Sequence, residues 1–189
     1  MCPSSCSGGT YAAGGASSCS PVVAGCYGIA SAASSPCPNP CPAGKISSFG
    51  ATECTPCPAG QYYPVTGGTV CYPVTAGCYG PAGATLACPS SCPAGRYSTG
   101  GSASCSDVSA GCYGPLPGTS TSCPGLCPAG TYSLAQSTAC SPVIAGCFSS
   151  GTGATSSCPN QVTAGRHLPF IHIFAFLTVL TVIRLFWCC

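Results

Sequence analysis

Large apolar side chains are scattered thinly along residues 1–167, and they keep neither a helical nor a strand-like spacing for more than a few residues. An amphipathic helix needs apolar residues every three to four positions, and a half-buried strand needs strict alternation. Glycine, proline, serine, alanine and cysteine fill the intervals instead. The pattern therefore predicts very short strands and turns in this part of the chain, without a single sizeable core.

The pattern changes at Leu168, where an almost entirely apolar run, LPFIHIFAFLTVLTVIRLFW, extends to Trp187. Its uncharged part, 168–183, would span about 24 Å as a helix, which is less than the roughly 30 Å hydrocarbon core of a bilayer. The apolar residues beyond Arg184 complete the length if that side chain snorkels to an interface. We therefore expect one C-terminal hydrophobic helix, and 168–189 is interpreted as a membrane-attachment tail.

A cysteine pattern, C-x3-C-x12-C-x6-C-x10, repeats every 35 residues. It predicts four tandem units, at 2–36, 37–87, 88–122 and 123–157, of which the second contains a seventeen-residue insertion. A fifth unit begins at Cys158 but has Val162 in place of its second cysteine, so 158–167 is interpreted as a degenerate repeat start and polar spacer. Units linked in series predict an extended rod in which each unit contacts mainly its neighbours.

Two short motifs recur within the units. Cys-Pro-Ala-Gly occurs four times, and proline at i+1 with glycine at i+3 fits a type I turn. The last cysteine of each unit lies in Ala-Gly-Cys followed by tyrosine or phenylalanine. We expect these few aromatic side chains to pack on neighbouring disulfides, and the ten-residue spacer to form a loop.

Cysteine content sets the expected redox environment. The chain has 21 cysteines, which is typical of a disulfide scaffold exposed to an oxidising compartment. We expect disulfides at Cys2, Cys6, Cys19, Cys26, Cys37, Cys41, Cys54, Cys57, Cys71, Cys78, Cys88, Cys92, Cys105, Cys112, Cys123, Cys127, Cys140 and Cys147. An exported chain usually begins with a charged and then apolar leader, whereas Met1 is followed directly by the repeat, so we expect a truncated N-terminus.

The small number of charged residues argues against nucleic-acid binding and catalysis. Only six residues are charged, which offers no basic patch for nucleic acid. General acid–base catalysis needs titratable groups, and both histidines, His167 and His172, lie at the tail. We therefore expect no enzymatic activity, no cofactor and no small-molecule substrate.

The cysteine spacings also fit zinc sites, but no histidine or carboxylate recurs with them. We therefore expect no metal site. The pair Cys54 and Cys57 has the spacing of a redox motif, and we interpret it instead as the junction of two repeated segments.

The segment from Cys41-Pro42-Ala43-Gly44 to Cys54-Thr55-Pro56-Cys57-Pro58-Ala59-Gly60 resembles the ephrin-receptor-like cysteine-rich repeat, with its C-P-A-G-x-[FY]-S … C-x-x-C-P-A-G pattern. Arrays of this kind that end in a hydrophobic tail are similar to the lipid-anchored surface (immobilisation) antigens of ciliated protozoa. The resemblance covers 2–165 and implies a surface antigen held by a lipid anchor.

The tail allows two modes of attachment. A glycosylphosphatidylinositol signal has small residues, a polar spacer of about 8–12 residues and an apolar tail, which makes Gly153, Ser156 and Ser157 candidates for lipid attachment. Removing Cys158 with the tail would also leave an even number of cysteines. The alternative is a retained transmembrane helix with Cys188 and Cys189 palmitoylated at the inner face.

These features favour a non-enzymatic coat or antigen protein on the extracellular face of the plasma membrane. The membrane is its expected partner, and a surface with few charges and many small residues suits lateral self-association. The alternative is a ligand-binding or adhesive receptor ectodomain held by a transmembrane helix.

Overall fold

The computed structural model describes residues 6–29 and 33–162, which form nine antiparallel hairpins and contain no helix. Hairpin 1 consists of β1 and β2, hairpin 2 of β3 and β4, and so on to hairpin 9. The strands are β1 Thr10–Tyr11, β2 Ser20–Pro21, β3 Cys26–Tyr27, β4 Asn39–Pro40, β5 Lys45–Ile46, β6 Thr55–Pro56, β7 Gln61–Tyr62, β8 Tyr72–Pro73, β9 Cys78–Tyr79, β10 Ser90–Ser91, β11 Arg96–Tyr97, β12 Ser106–Asp107, β13 Cys112–Tyr113, β14 Gly125–Leu126, β15 Thr131–Tyr132, β16 Ser141–Pro142, β17 Cys147–Phe148 and β18 Asn160–Gln161.

The expected disulfide-rich array of short strands is confirmed for this part of the chain. The predicted C-terminal helix over 168–189 lies outside the described residues.

A glycine turn precedes the first strand of every hairpin. In hairpin 3, the Lys45 N–H donates to the Pro42 carbonyl at 3.1 Å, and Gly44 between them has a φ of 80°. Positive φ at the third position of the turn defines type II, which favours glycine there. The predicted type I turn is therefore wrong, because proline occupies the first position of the turn and glycine the third.

The structural repeat is one hairpin, which is shorter than the predicted unit. Three residues before each turn glycine stands a cysteine or a valine, here named the core position, and successive core positions are 16 to 19 residues apart. The core positions are Cys6, Val22, Cys41, Cys57, Val74, Cys92, Val108, Cys127 and Val143. The first eight are buried, with 6% or less of their surface exposed. The predicted seventeen-residue insertion is therefore one complete hairpin, hairpin 4, over 57–73.

Backbone hydrogen bonds join each hairpin to the next at equivalent positions. The turn glycine donates to the carbonyl that follows the next hairpin's first strand, as Gly77 does to Ser98 at 2.8 Å. A loop glycine of the later hairpin donates back to a core-position carbonyl, as Gly118 does to Cys92 at 2.7 Å. Buried serines add to this link, because the Ser98 hydroxyl donates to the Cys78 carbonyl at 2.6 Å.

The turn glycine of most hairpins also lies in close contact with the loop of the hairpin two positions further along the chain. A Cβ atom on Gly111 of hairpin 7 would overlap the carbonyl oxygen of Gly153 in hairpin 9. Equivalent overlaps would occur in hairpins 1 to 6, whereas no residue within 6–29 and 33–162 would meet a Cβ atom on Gly130 of hairpin 8 or Gly146 of hairpin 9. Each hairpin from 1 to 7 is therefore positioned against its next two neighbours.

We expect Gly111→Ala to destabilise the array more than Gly130→Ala. The two glycines have φ values of 82° and 81°, so alanine in this left-handed conformation costs about 1–2 kcal/mol at either position. Among the described residues, only the Gly111 methyl group is forced against a neighbouring backbone, and such overpacking adds about 1–3 kcal/mol. Urea titration of the disulfide-intact chain measures both variants, and equal losses would contradict the contact between hairpins 7 and 9.

One loop of the array lacks its usual glycine. The loop residue that donates to the preceding core-position carbonyl is glycine in hairpins 3 to 7 and in hairpin 9, but it is Gln136 in hairpin 8. Gln136 has a φ of 67°, and no other non-glycine residue within 6–29 and 33–162 has positive φ. Its side-chain amide donates to Asp107 Oδ1 at 3.3 Å in an exposed position.

We expect Gln136→Gly to raise the free energy of unfolding by about 0.5–1 kcal/mol, because it removes backbone strain that exceeds the entropy cost of glycine. The matched control is Ala135→Gly, which adds the same freedom to a neighbouring residue without positive φ. That control should lower the stability by about 0.5–1 kcal/mol. Thermal unfolding of both variants compares them, and a loss of stability in Gln136→Gly would refute the argument.

Candidate functional site

Each hairpin within the described residues is closed by one disulfide, at one of two places. In hairpins 1, 3, 4, 6 and 8, the core-position cysteine bonds to the cysteine just before the second strand. In hairpins 2, 5, 7 and 9, valine occupies the core position, and the first residue of the first strand is the bonded cysteine. The pairs are Cys6–Cys19, Cys26–Cys37, Cys41–Cys54, Cys57–Cys71, Cys78–Cys88, Cys92–Cys105, Cys112–Cys123, Cys127–Cys140 and Cys147–Cys158.

These pairs include Cys158, which the sequence analysis left out of the predicted set. The prediction for Cys2 falls outside the described residues. The disulfides of hairpins 2, 5, 7 and 9 each join two successive predicted units. The two cysteines of each C-x3-C motif are therefore not partners in this part of the chain, because they belong to consecutive hairpins.

The C-x2-C pair is committed to two separate disulfides. Cys54 bonds to Cys41 in hairpin 3, and Cys57 bonds to Cys71 in hairpin 4. The two residues between them, β6, complete hairpin 3. This arrangement agrees with the interpretation of the motif as a junction between repeated segments.

The candidate lipid-attachment residues Gly153, Ser156 and Ser157 all lie in the loop of hairpin 9, between its bonded cysteines. The Gly153 N–H donates to the Cys127 carbonyl at 2.7 Å, and the Ser157 carbonyl accepts from Ile144 N–H at 3.0 Å. This loop is therefore tied to its own hairpin and to hairpin 8.

Cleavage after Ser157 would separate the two strands of hairpin 9. It would also remove Cys158, the disulfide partner of Cys147. The argument that removing Cys158 leaves no unpaired cysteine is therefore wrong. An even count of cysteines did not identify which of them are bonded.

The described part of the array is almost uncharged. Its single ion pair joins Arg96 Nε and Asp107 Oδ1 at 3.1 Å, with the side chains 41% and 50% exposed. Such an exposed pair contributes little to stability. Within the described ranges, no group of histidine, cysteine, aspartate and glutamate side chains is arranged to hold a metal ion. Those ranges also contain no helix that could cross a membrane.

The surface carries many apolar side chains in place of charges. Thirteen large ones within 6–29 and 33–162 are between 36% and 71% exposed. They are Val23, Ile29, Phe49, Val65, Val70, Tyr72, Leu86, Leu116, Leu126, Leu134, Ile144, Phe148 and Val162. Exposed apolar side chains that lie together often mark an interaction site, whereas single ones are ordinary.

Hairpin 4 carries three of these side chains, Val65, Val70 and Tyr72, and a group of aromatic rings. Its Tyr63 and Tyr72 rings stack at a centroid distance of 5.8 Å, and the Tyr62 ring lies 6.0 Å from that of Tyr72. Every other hairpin has glycine, alanine, serine, threonine or asparagine at the positions equivalent to Tyr63 and Tyr72. The inserted hairpin therefore carries an uncharged tyrosine cluster that its neighbours lack.

No protein-family model matches the chain, and no curated protein matches it significantly. The fold and the surface chemistry of the described residues are therefore the basis for a functional proposal.

Sequence reasoning missed the core-position valines and Cys158. The signal that identifies them is an Ala-Gly pair two and three residues after each core position from Val22 onward, whether that position is cysteine or valine. Tracing the repeat by its cysteines alone hid this shorter period.

Thiol titration should find no more than three free thiols in the denatured, unreduced chain, because the described disulfides account for eighteen of the 21 cysteines. Cys158→Ser should add one reactive thiol, and peptide mapping should locate it at Cys147. A thiol count that falls by one in this variant would show that Cys158 is unpaired in the native chain.

Proposed function

We propose that this chain is a non-enzymatic cell-surface coat protein, a disulfide-closed array attached to the plasma membrane by its C-terminal apolar segment. The observation that carries the proposal is the pairing of eighteen cysteines in nine separate hairpins. Disulfides at this density persist in oxidising surroundings and are rare in reducing cytosol.

The array supports a protective role better than a chemical one. Its hairpins are tied to one another by backbone hydrogen bonds, and the few charged residues within 6–29 and 33–162 are exposed or half-buried. An almost neutral surface with exposed apolar residues can pack against identical neighbours without desolvating charges. We therefore propose lateral self-association of many copies on the cell surface.

The disulfide of hairpin 9 restricts where a lipid anchor could be attached. Lipid attachment at Gly153, Ser156 or Ser157 would require the Cys147–Cys158 hairpin to be open in the precursor. We therefore propose that the mature protein keeps hairpin 9 through Val162. A retained apolar helix and a lipid attached beyond Val162 both satisfy this condition.

A second candidate function, a ligand-binding or adhesive receptor ectodomain, is favoured by the tyrosine cluster of hairpin 4. Tyrosine is enriched at recognition surfaces, because its ring is apolar and its hydroxyl is polar. If this candidate is correct, Tyr72→Ser should abolish adhesion to other cells. The exposed Leu86→Ser of hairpin 5 is the control, because it lies outside the cluster.

The proposal is tested by expressing the full chain behind a secretion leader in a eukaryotic cell. Surface biotinylation should label the protein, and it should sediment with membranes after washing. Mass spectrometry of the labelled protein should detect peptides that contain Asn160 and Val162. Phosphatidylinositol-specific phospholipase C releases a lipid-anchored form and leaves a transmembrane form bound.

An intracellular or freely secreted product would contradict the proposed surface role. Absence of the Asn160 peptide from the labelled protein would instead favour lipid attachment at Gly153, Ser156 or Ser157.

A further inference from the structure

Two phenol rings of hairpin 4 lie almost parallel and close together. The Tyr63 ring stacks on the Tyr72 ring at a centroid distance of 5.8 Å and an interplanar angle of 13°. The Tyr62 ring lies 6.0 Å from that of Tyr72, but it is inclined by 51°. Among the described residues, Tyr63 and Tyr72 are therefore the closest and most nearly parallel pair of tyrosine rings.

Backbone contacts hold this pair in place. The Tyr63 N–H donates to the Ala84 carbonyl at 3.0 Å, and the Tyr63 carbonyl accepts from the Gly44 N–H at 2.9 Å. The Tyr63 ring also lies over Gly68, because a Cβ atom on that glycine would come within 2.8 Å of the ring. Tyr72 belongs to β8, which pairs with β7 of the same hairpin. The two rings are therefore kept together by hairpin 4 and by both of its neighbours.

Tyrosine is also the most readily oxidised side chain in this part of the chain. Oxidants act first on free thiols and on methionine. All eighteen cysteines within 6–29 and 33–162 are bonded in disulfides, and the only methionine and the only tryptophan, Met1 and Trp187, lie outside those ranges. Tyr72 is 47% exposed and Tyr63 is half-buried. An oxidant in solution can therefore reach Tyr72, and Tyr63 lies directly against it.

We propose that Tyr63 and Tyr72 are an oxidative cross-linking site, at which a peroxidase and hydrogen peroxide join the two rings as dityrosine. Each phenol loses one electron and one proton, and the peroxide is reduced to two molecules of water. The two phenoxyl radicals then form one bond between ring carbons ortho to their oxygens. The hydrogen on each of those carbons moves to the phenol oxygen of the same ring, which restores both aromatic rings.

The cross-link closes hairpin 4 a second time. The existing disulfide joins Cys57 to Cys71, the residue before Tyr72. A thiol reductant opens that disulfide, whereas it does not break a carbon–carbon bond. The loop between Tyr63 and Tyr72 therefore stays closed under reducing conditions. The inference rests on the proposed surface location only for the source of the oxidant, and purified protein can be given that oxidant directly, so the two proposals can fail separately.

Treatment of the disulfide-intact full chain with a haem peroxidase and hydrogen peroxide, at high dilution in detergent micelles, tests the site. The monomeric chain should gain dityrosine fluorescence and lose the mass of two hydrogen atoms. The product is then reduced and digested with elastase, which cleaves after Val65 and Val70. The peptides that contain Tyr63 and Tyr72 should remain joined to each other.

Phenylalanine variants identify the partner of Tyr72. Tyr63→Phe keeps the ring but removes the phenol, and it should lower the dityrosine yield about tenfold or more, because the neighbour at high effective concentration is lost. The matched control is Tyr97→Phe, which removes a half-buried phenol of hairpin 6 and should leave the yield unchanged.

Three results would overturn the site. The first is a dityrosine yield that Tyr63→Phe leaves unchanged. The second is loss of the product in Tyr62→Phe but not in Tyr63→Phe, which would assign the bond to Tyr62. The third is dityrosine found only in covalent dimers of the chain, which would show that the rings react between copies instead.

Discussion

Strands of two residues cannot hold a hairpin together in water, so each repeat depends on the disulfide that closes it. The bonded cysteines are 10 to 14 residues apart, and closing a loop of that length stabilises the folded state by about 3 kcal/mol. Hairpins 1 to 8 each also bury one small side chain at the core position. Where that side chain is cysteine, it forms the disulfide itself, and where it is valine, the disulfide moves to the first strand. The interior is thus one row of cysteine and valine, which explains the lack of a larger core.

The sequence allowed the disulfide-rich class, the short strands and the repeated turns to be predicted, because cysteine spacing and Ala-Gly pairs are local signals. It did not allow the cysteine pairing to be predicted, since spacing alone leaves many connectivities open. The four-cysteine unit groups residues that lie in different hairpins, such as Cys37 and Cys41. Val22 and Val108 are not cysteines, so a search for cysteine spacing could not identify them. Their role as core positions depends on burial by neighbouring hairpins. The requirement for glycine at position 111 is likewise nonlocal, because the obstructing carbonyl belongs to Gly153.

The candidate attachment site shows the same division between local and nonlocal information. The change in composition at Leu168 is local, and it locates an apolar segment without reference to structure. The small residues Ser156 and Ser157 also look suitable when only their neighbours in sequence are considered. Their unsuitability for cleavage in a folded precursor follows from the bond between Cys147 and Cys158, which encloses them. Small residues that resemble a cleavage site in the sequence thus belong to a closed loop in the structure.

Hairpin 4 fits between hairpins 3 and 5 because it is a complete repeat with its own disulfide, Cys57–Cys71. The turn glycine of hairpin 2 meets the loop of hairpin 4, and that of hairpin 3 meets the loop of hairpin 5, so the two-step contacts continue through the insertion without interruption. Core positions are 16 to 19 residues apart, so a hairpin tolerates length differences of up to three residues. A longer insertion that was not a whole hairpin would shift the later loops away from these glycines and expose core positions. Because Tyr62 and Tyr63 are half-buried and Tyr72 is exposed, an added hairpin can also carry a new surface feature, such as the tyrosine cluster, without disturbing the row of buried residues.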